Sequence, residues 1–497
     1  MRKLYLSLIL CGVCLVIGQG SLAAAPAAPA ANDAGSPAAA GKATAQPEPD
    51  VRELQRLAGQ GDATAQFQLG KMYFEGHGVA KDERKAVEWW QKAADQGDTA
   101  AQFGLGVMYE EGTGVPQDDR KAMEWYRKAA DQGDAKAQNN LGKMYADGRG
   151  VPQDDRKAVE WYRKAADQGH AKAQYNLGLR YANGRGVAKD DRKAVEWYRK
   201  AADQGHAVAQ NNLGVMYEDG GGVPKDVRKA VELYQQAADQ GYVVAQTNLG
   251  LMYANGRGVT KDKSKAVEWY QKAADQGDAV AQFNLGLSYA EGSGVTKDER
   301  KAVEWFRKAA DQGYVVAQNN LGWMYANGRG VPKDVRKAVE LYQKAADQGD
   351  AAAQNNLGFM YENGRGVPQD SRKAVELYQK AADQGDADAQ NNLGSVYAHG
   401  RGVAKDDRKA AAWWQKAADQ GNVTAQKNLA LLLEKNQITG ISPDGSCRPR
   451  TSTNRCSSQC YDGDCIITYE NGCKVRVQVR AKYDPVSNEW TYPLPGC

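Results

Sequence analysis

Residues 135–170 read AKAQNNLGKMYADGRGVPQDDRKAVEWYRKAADQGH, and residues 171–206 read AKAQYNLGLRYANGRGVAKDDRKAVEWYRKAADQGH. The second stretch copies the first with few changes and no insertion. The Leu-Gly pair at Leu141 also begins at Leu69, Leu105, Leu177, Leu213, Leu249, Leu285, Leu321, Leu357 and Leu393, always 36 residues from the next. A degraded eleventh copy stands at Leu429-Ala430. A fixed period of this length marks an array of stacked supersecondary units.

Each unit contains two helical patterns. In the first copy Ala65, Leu69, Met72 and Tyr73 make one apolar stripe, the spacing of a helix face. Gly76-x-Gly78 ends it, where a left-handed backbone favours glycine. The second helix is expected after Asp82, an acid present in all ten copies through Asp406, because a carboxylate accepts from the free amides of a helix start. Ala86, Trp89, Trp90, Ala93 and Ala94 form its buried face, and Gly97 stops it. One pair cannot cover such faces, so neighbours must stack. Val51 to Gln60 reads as a lone second helix capping the front, and Val423 to Lys435 as a first helix closing the back.

The A-x-A, L-G-x-x-Y, G-x-G-V, K-A-x-x-W-Y and K-A-A-x-Q-G blocks resemble the Sel1-like repeat family, relatives of the tetratricopeptide repeats, over residues 61 to about 436. The resemblance implies an all-α fold, a right-handed α/α solenoid of ten repeats with first helices lining the concave side. It also implies a scaffold or adaptor whose partner is a protein or peptide.

A second stripe on the first helix, Thr64, Phe67, Gln68, Lys71 and Glu75 in the opening copy, falls on one face, and the resemblance turns that face toward the groove. Its most regular column is Asn140, Asn176, Asn212, Asn248, Asn284, Asn320, Asn356 and Asn392, continued by Asn428. A carboxamide both donates and accepts, so this ladder is able to grip an extended backbone. The other reading is that it ties adjacent helices together, as buried polar groups usually bond locally. Flanking columns vary as specificity positions would. One includes Phe67, Phe103, Asn139, Tyr175, Asn211, Thr247, Phe283 and Asn319; another runs Leu251, Leu287, Trp323 and Phe359. Tyr175, Phe283, Trp323 and Phe359 are the candidate aromatic contacts, with ordinary packing as the competing role. Pairs such as Trp125-Tyr126 are read as core.

Nothing in the repeats points to catalysis, a metal or a cofactor. Of the four histidines, His77, His170, His206 and His399, His170 and His206 occupy the place of Asp98 and Asp134, which suggests a helix-start role. They stand one repeat apart, too far to share a metal. The formal charge of +4 is small for 497 residues, with both signs interspersed, unlike the clustered basic charge of a nucleic-acid groove.

The eight cysteines lie only at the two ends. Arg2 and Lys3 precede the apolar run Leu4 to Gly18 and then Ser21-Leu22-Ala23-Ala24-Ala25, the form of a cleaved signal peptide over 1–25. About 15 apolar residues are short for a membrane span, and Leu10 and Val13 are bulky for lipid attachment at Cys11 or Cys14. Residues 26–50, rich in Ala and Pro, read as a disordered linker, residues 51–436 as the solenoid and residues 437–497 as a separate module. A periplasmic or secreted location follows. In that compartment Cys447, Cys456, Cys460, Cys465, Cys473 and Cys497 read as three disulfides of open connectivity, rather than as zinc ligands. Residues 465–479 read as a hairpin around Asn471-Gly472, with Ile466 facing Val477 and Thr468 facing Val475, and a third strand is expected from Glu489 to Tyr492. The favoured function is an exported scaffold holding an extended polypeptide along the groove, not an enzyme. The alternative is a peptidoglycan-binding or hydrolytic protein acting through the C-terminal module, a segment without histidine.

Overall fold

The computed structural model describes residues 51–436 and the strand residues 456–461, 464–469, 474–478, 482–484 and 489–491. Residues 51–436 form an all-helical solenoid of 22 helices. The leader and the linker lie outside the described residues, as do Cys447, Cys473 and Cys497.

The chain falls into two compact units, Met1–Gln276 and Gly277–Cys497. The helices of the first run from Val51–Gly59 to Lys263–Asp275, and those of the second from Ala279–Glu291 to Val423–Asn436. In both, a first helix such as Ala135–Asp147 packs against a second helix such as Asp155–Asp167, and each repeat stacks on its neighbour.

Local chemistry sets the boundaries. Asp154 accepts the Lys157 backbone N–H at 3.0 Å, and the equivalent Asp starts the second helix in every repeat. At the end of the first helix Gly148 adopts a φ of 70°, as does Gly150. A Cβ at Gly150 would stand 2.4 Å from the Asp119 carbonyl oxygen, so this loop depends on close approach to the preceding repeat.

The core is alanine, leucine and one aromatic ring per second helix. Leu69, Leu105, Leu141 and Leu177 are fully buried, as are Tyr126 and Ala129. The glycine of each Leu-Gly pair lies under that ring: a Cβ at Gly142 would meet Tyr162 Cδ1 and Cε1 at 2.8 Å. Alanine is tolerated at Ala430 because no K-A-x-x-W-Y block follows the closing helix Val423–Asn436. The first aromatic of the W-Y pair is less deeply placed than expected. Trp161 is buried, whereas Trp89, Trp197, Trp269, Trp305 and Trp413 are half-buried. A lysine three residues on covers each of these rings, as Lys164 covers Trp161 at 3.8 Å.

Between 456 and 491, Cys456–Tyr461, Asp464–Tyr469 and Lys474–Gln478 pair antiparallel in that order, and Lys482–Asp484 pairs with Glu489–Thr491. The register expected from Asn471-Gly472 is corrected by one residue. Ile466 stands opposite Arg476 and Thr468 opposite Lys474. The observed register sets Ile467 opposite Val475, a pairing of two β-branched residues that suits a sheet.

Candidate partner-binding face

The polar groups of the first helices divide into those that bind the repeats together and those left toward solvent. The deepest is a glutamine that sequence reasoning passed over. Gln138, 5% exposed, donates to the Ala130 carbonyl of the preceding second helix at 3.0 Å and accepts from Gln168 of its own second helix at 2.7 Å. One amide thus joins three helices. The second of these bonds recurs in all ten repeats. The signal was present, since Gln follows every A-x-A block.

The asparagine column is mostly half-buried beside it, with Asn284 buried. Asn176, Asn248, Asn356 and Asn392 donate across a repeat junction to Asn139, Asn211, Asn319 and Asn355, at 2.8–3.0 Å. Asn320, which follows Phe283 one repeat earlier, donates instead to its own helix at the Val316 carbonyl at 2.8 Å. Asn284 likewise donates to the Val280 carbonyl at 2.9 Å. Asn140 and Asn212 accept from the adjacent Asn139 and Asn211 at 3.3 Å. Tying neighbouring helices is therefore one role of this column. A carboxamide that spends one hydrogen this way has a second hydrogen and an oxygen to offer.

The column of Phe67, Tyr175 and Phe283 is packing rather than open groove. Phe283 is 4% exposed, its ring 5.6 Å from Phe306 and 5.5 Å from Tyr314. Tyr175 stacks on Tyr198 and His206 at 5.9 and 5.1 Å. Asn139, Asn211 and Thr247 are also buried. Stacking of the next repeat covers this stripe, which a helix taken alone leaves open.

The neighbouring column behaves differently. Trp323 is half-buried under Arg329, with the guanidinium 5.8 Å from the ring centroid. Phe359 is 42% exposed under Arg365 at 5.7 Å. Val280, Phe359, Val423 and Leu431 are the exposed large apolar side chains among the described residues, and all four stand on first helices of the second unit.

Histidine takes a capping role. Nδ1 of His170 and of His206 accepts the Ala173 and Ala209 backbone N–H at 3.2 Å, as Asp does in six other repeats. One such aspartate carries a cost. Burial pushes the Asp386 carboxyl up to about 6; the Ala389 N–H works against this, and the Asp388 and Asp350 charges add to it. An acid whose folded pKa is raised destabilises the fold above that pKa and costs nothing below its unfolded value. Asp386→Asn is therefore expected to raise stability by about 1 kcal/mol at pH 7, allowing for partial exposure, with the gain fading between about pH 6 and 4. Asparagine already caps well here, since Asn422 accepts the Ala425 N–H one repeat on at 2.9 Å. Thermal melts across that pH range test this, and a gain that persists at pH 4 refutes the cause.

Among the described residues no group of His, Cys, Asp and Glu is placed to hold a metal ion, and no helix is long and apolar enough to cross a membrane.

The Sel1 repeat family matches ten consecutive segments, from residues 63–98 through 387–422. A protective antigen present in uropathogenic Escherichia coli strains, whose crystal structure displays an SLR fold, is 41% identical, with a TM-score of 0.71 over 78% of this chain and 83% of that one. A Sel1 repeat protein from Oxalobacter formigenes is 40% identical, with a TM-score of 0.50 over 62% of this chain and 89% of that one. No match is found among the curated proteins. Ten repeats in unbroken register and these two likenesses establish that the chain belongs to the Sel1-repeat family, whose solenoids are generally protein-interaction scaffolds.

Proposed function

We propose that this protein is an exported scaffold that holds an extended stretch of polypeptide along the first-helix face of its solenoid. The observation that carries the reading is the placement of the exposed apolar side chains Val280, Phe359, Val423 and Leu431, all on first helices. The second-helix aromatics, by contrast, are buried or covered by lysine. Exposed apolar area confined to one face marks a docking surface more often than scattered residues do. Trp323 and Phe359 supply rings with a guanidinium above each, and Asn320, Asn356 and Asn392 offer their remaining amide groups to a backbone. Export rests on Arg2, Lys3 and the apolar run after them. The tail, with six cysteines in 51 residues, is read as a module stapled by disulfides.

The test is capture from envelope fractions by the full-length protein, with crosslinking. Trp323→Ala combined with Phe359→Ala is expected to reduce capture of a specific protein at least about tenfold, as for the central anchors of an interface. Asn356→Ala with Asn392→Ala is expected to weaken it less. Undiminished capture by the aromatic double variant, with its fold intact by circular dichroism, would remove this face from the function.

A further inference from the structure

The eighth repeat lacks a carboxylate that in the seventh, at Glu299, neutralises two cations, Lys297 and Arg329. The first residue of the second helix is acidic in six repeats: Glu83, Asp119, Asp155, Asp191, Glu299 and Asp407. The lysine two residues earlier pairs with it in Lys81–Glu83, Lys189–Asp191, Lys297–Glu299 and Lys405–Asp407, at 3.0–3.6 Å. The arginine of the next repeat's Gly-Arg-Gly loop reaches it as well, in Arg149–Asp119 at 2.5 Å and in Arg329–Glu299. At this position the eighth repeat has Val335. Lys333 and Arg365 are the two cations left over, and neither makes an ion pair among the described residues. A second acid is missing too. Arg257 and Arg401 pair with Glu218 and Glu362 at 2.8 Å, whereas Ala326 stands at that place for Arg365.

An open cavity of about 910 Å³ lies against Val335. Arg307, Lys333, Arg336 and Lys337 line it, and Gly364 and Gly366, which flank Arg365, form part of its wall. Asp334 is the single acid of the lining, and it accepts the Lys337 backbone N–H at 3.0 Å to start the helix. Arg307 donates to the Tyr325 hydroxyl at 2.9 Å, and Lys337 lies over the same ring at 5.3 Å, which positions both cations at the rim. Four cations around one committed carboxylate attract an anionic occupant, and their mutual repulsion is relieved when it binds.

We propose that this cavity binds a short acidic stretch of polypeptide, whose carboxylates pair with Lys333, Arg336 and Arg365 in place of the acid absent at Val335. A nucleic acid fits less well. The Tyr325 ring is 7% exposed and offers no stacking platform. The neighbouring Lys297 and Arg329 are occupied by Glu299, so no stripe of free cations follows a phosphate backbone. The site rests on the scaffold reading only for the class of its occupant.

The chain supplies an internal control. Residues 223–229 and 331–337 both read VPKDVRK, and Arg199 donates to Tyr217 at 2.8 Å as Arg307 does to Tyr325. Near Val227, however, Arg257 is taken by Glu218. A fluorescein-labelled octaglutamate peptide titrated with the full chain should bind at low salt and weaken toward physiological salt. Val335→Glu, which introduces the residue native at Glu299, is expected to lower the affinity about tenfold, while Val227→Glu changes it by less than about twofold. Trp323→Ala, whose ring lies under Arg329 and not Arg365, should leave octaglutamate binding in place, which separates failure of this site from failure of the first-helix face. The proposal is overturned if octaglutamate does not bind, or if both glutamate variants lose equally. It is also overturned if octathymidylate binds more tightly with the same dependence on Val335.

Discussion

Gly286→Ala is expected to destabilise the second unit by about 1–3 kcal/mol, although a helix-interior Gly→Ala change alone stabilises by about 1 kcal/mol. The sign turns on one contact. A Cβ at Gly286 would stand 2.7 and 2.8 Å from Cδ1 and Cε1 of Phe306 and 3.2 Å from the Ala302 carbonyl oxygen. Phe306 is 2% exposed and packed against Phe283, so the ring cannot give way without displacing a second ring. Phe306→Leu alone loses packing, yet in the Gly286→Ala background it should recover part of the loss, giving a double-mutant cycle with favourable coupling. Gly59→Ala, where nothing lies within 4 Å of the added Cβ, is the control and should be neutral or stabilising. Repeats lean on their nearest neighbours, so hydrogen exchange should rise first around residues 279–314. A neutral Gly286→Ala would mean that the Leu-Gly pair is not held by ring contact.

The same contact explains why so much of the fold was legible. Each repeat must place a glycine under an aromatic ring, an aspartate at a helix start and a left-handed glycine at a helix end, and these demands leave marks at fixed spacing. Ten copies in one register turn those weak local signals into an architecture. What a single helix cannot show is which of its two polar or mixed stripes the next repeat covers. Phe283 and Tyr175 belong to a covered stripe, Trp323 and Phe359 to a neighbouring one left partly open, and both look alike on a helical wheel. The division depends on how the stacked helices cross, which is a property of the pair of repeats. His170 and His206 were legible because they replace Asp at a capping position.

The asparagine and glutamine columns show a second limit. Asparagine reads as a ladder in the sequence because the family resemblance turns its face of the helix toward the groove. Glutamine, three residues earlier than the Leu-Gly leucine, recurs just as regularly. A long amide is usually exposed, and only the structure shows that both ends of this one are satisfied indoors.

That arrangement makes a sharp prediction for Gln138. Gln138→Glu preserves shape and can still accept from Gln168, but a carboxylate has no hydrogen for the Ala130 carbonyl, now 3.0 Å away from it. An unpaired charge at a site 5% exposed should cost about 3–5 kcal/mol at pH 7, as when one partner of a buried charged pair is removed. Gln138→Leu should cost less, about 1–2 kcal/mol, because it loses the bonds without burying a charge. Gln168 is exposed and can turn to water, and the Ala130 carbonyl keeps the Gly133 N–H at 3.0 Å, which limits the leucine variant's loss. The two variants must also differ in pH response. Burial raises the folded pKa of the new carboxyl above the unfolded value of about 4.3. Its penalty is therefore present above the folded pKa and lost as pH falls toward the unfolded one. Once protonated, the acid regains a donor for Ala130. Measured against the parent chain at each pH, Gln138→Glu should recover most of its deficit between pH 7 and about 4, while Gln138→Leu stays flat. If the glutamate variant is no worse than the leucine variant at pH 7, the amide's donated bond contributes nothing and the relay is incidental to stacking.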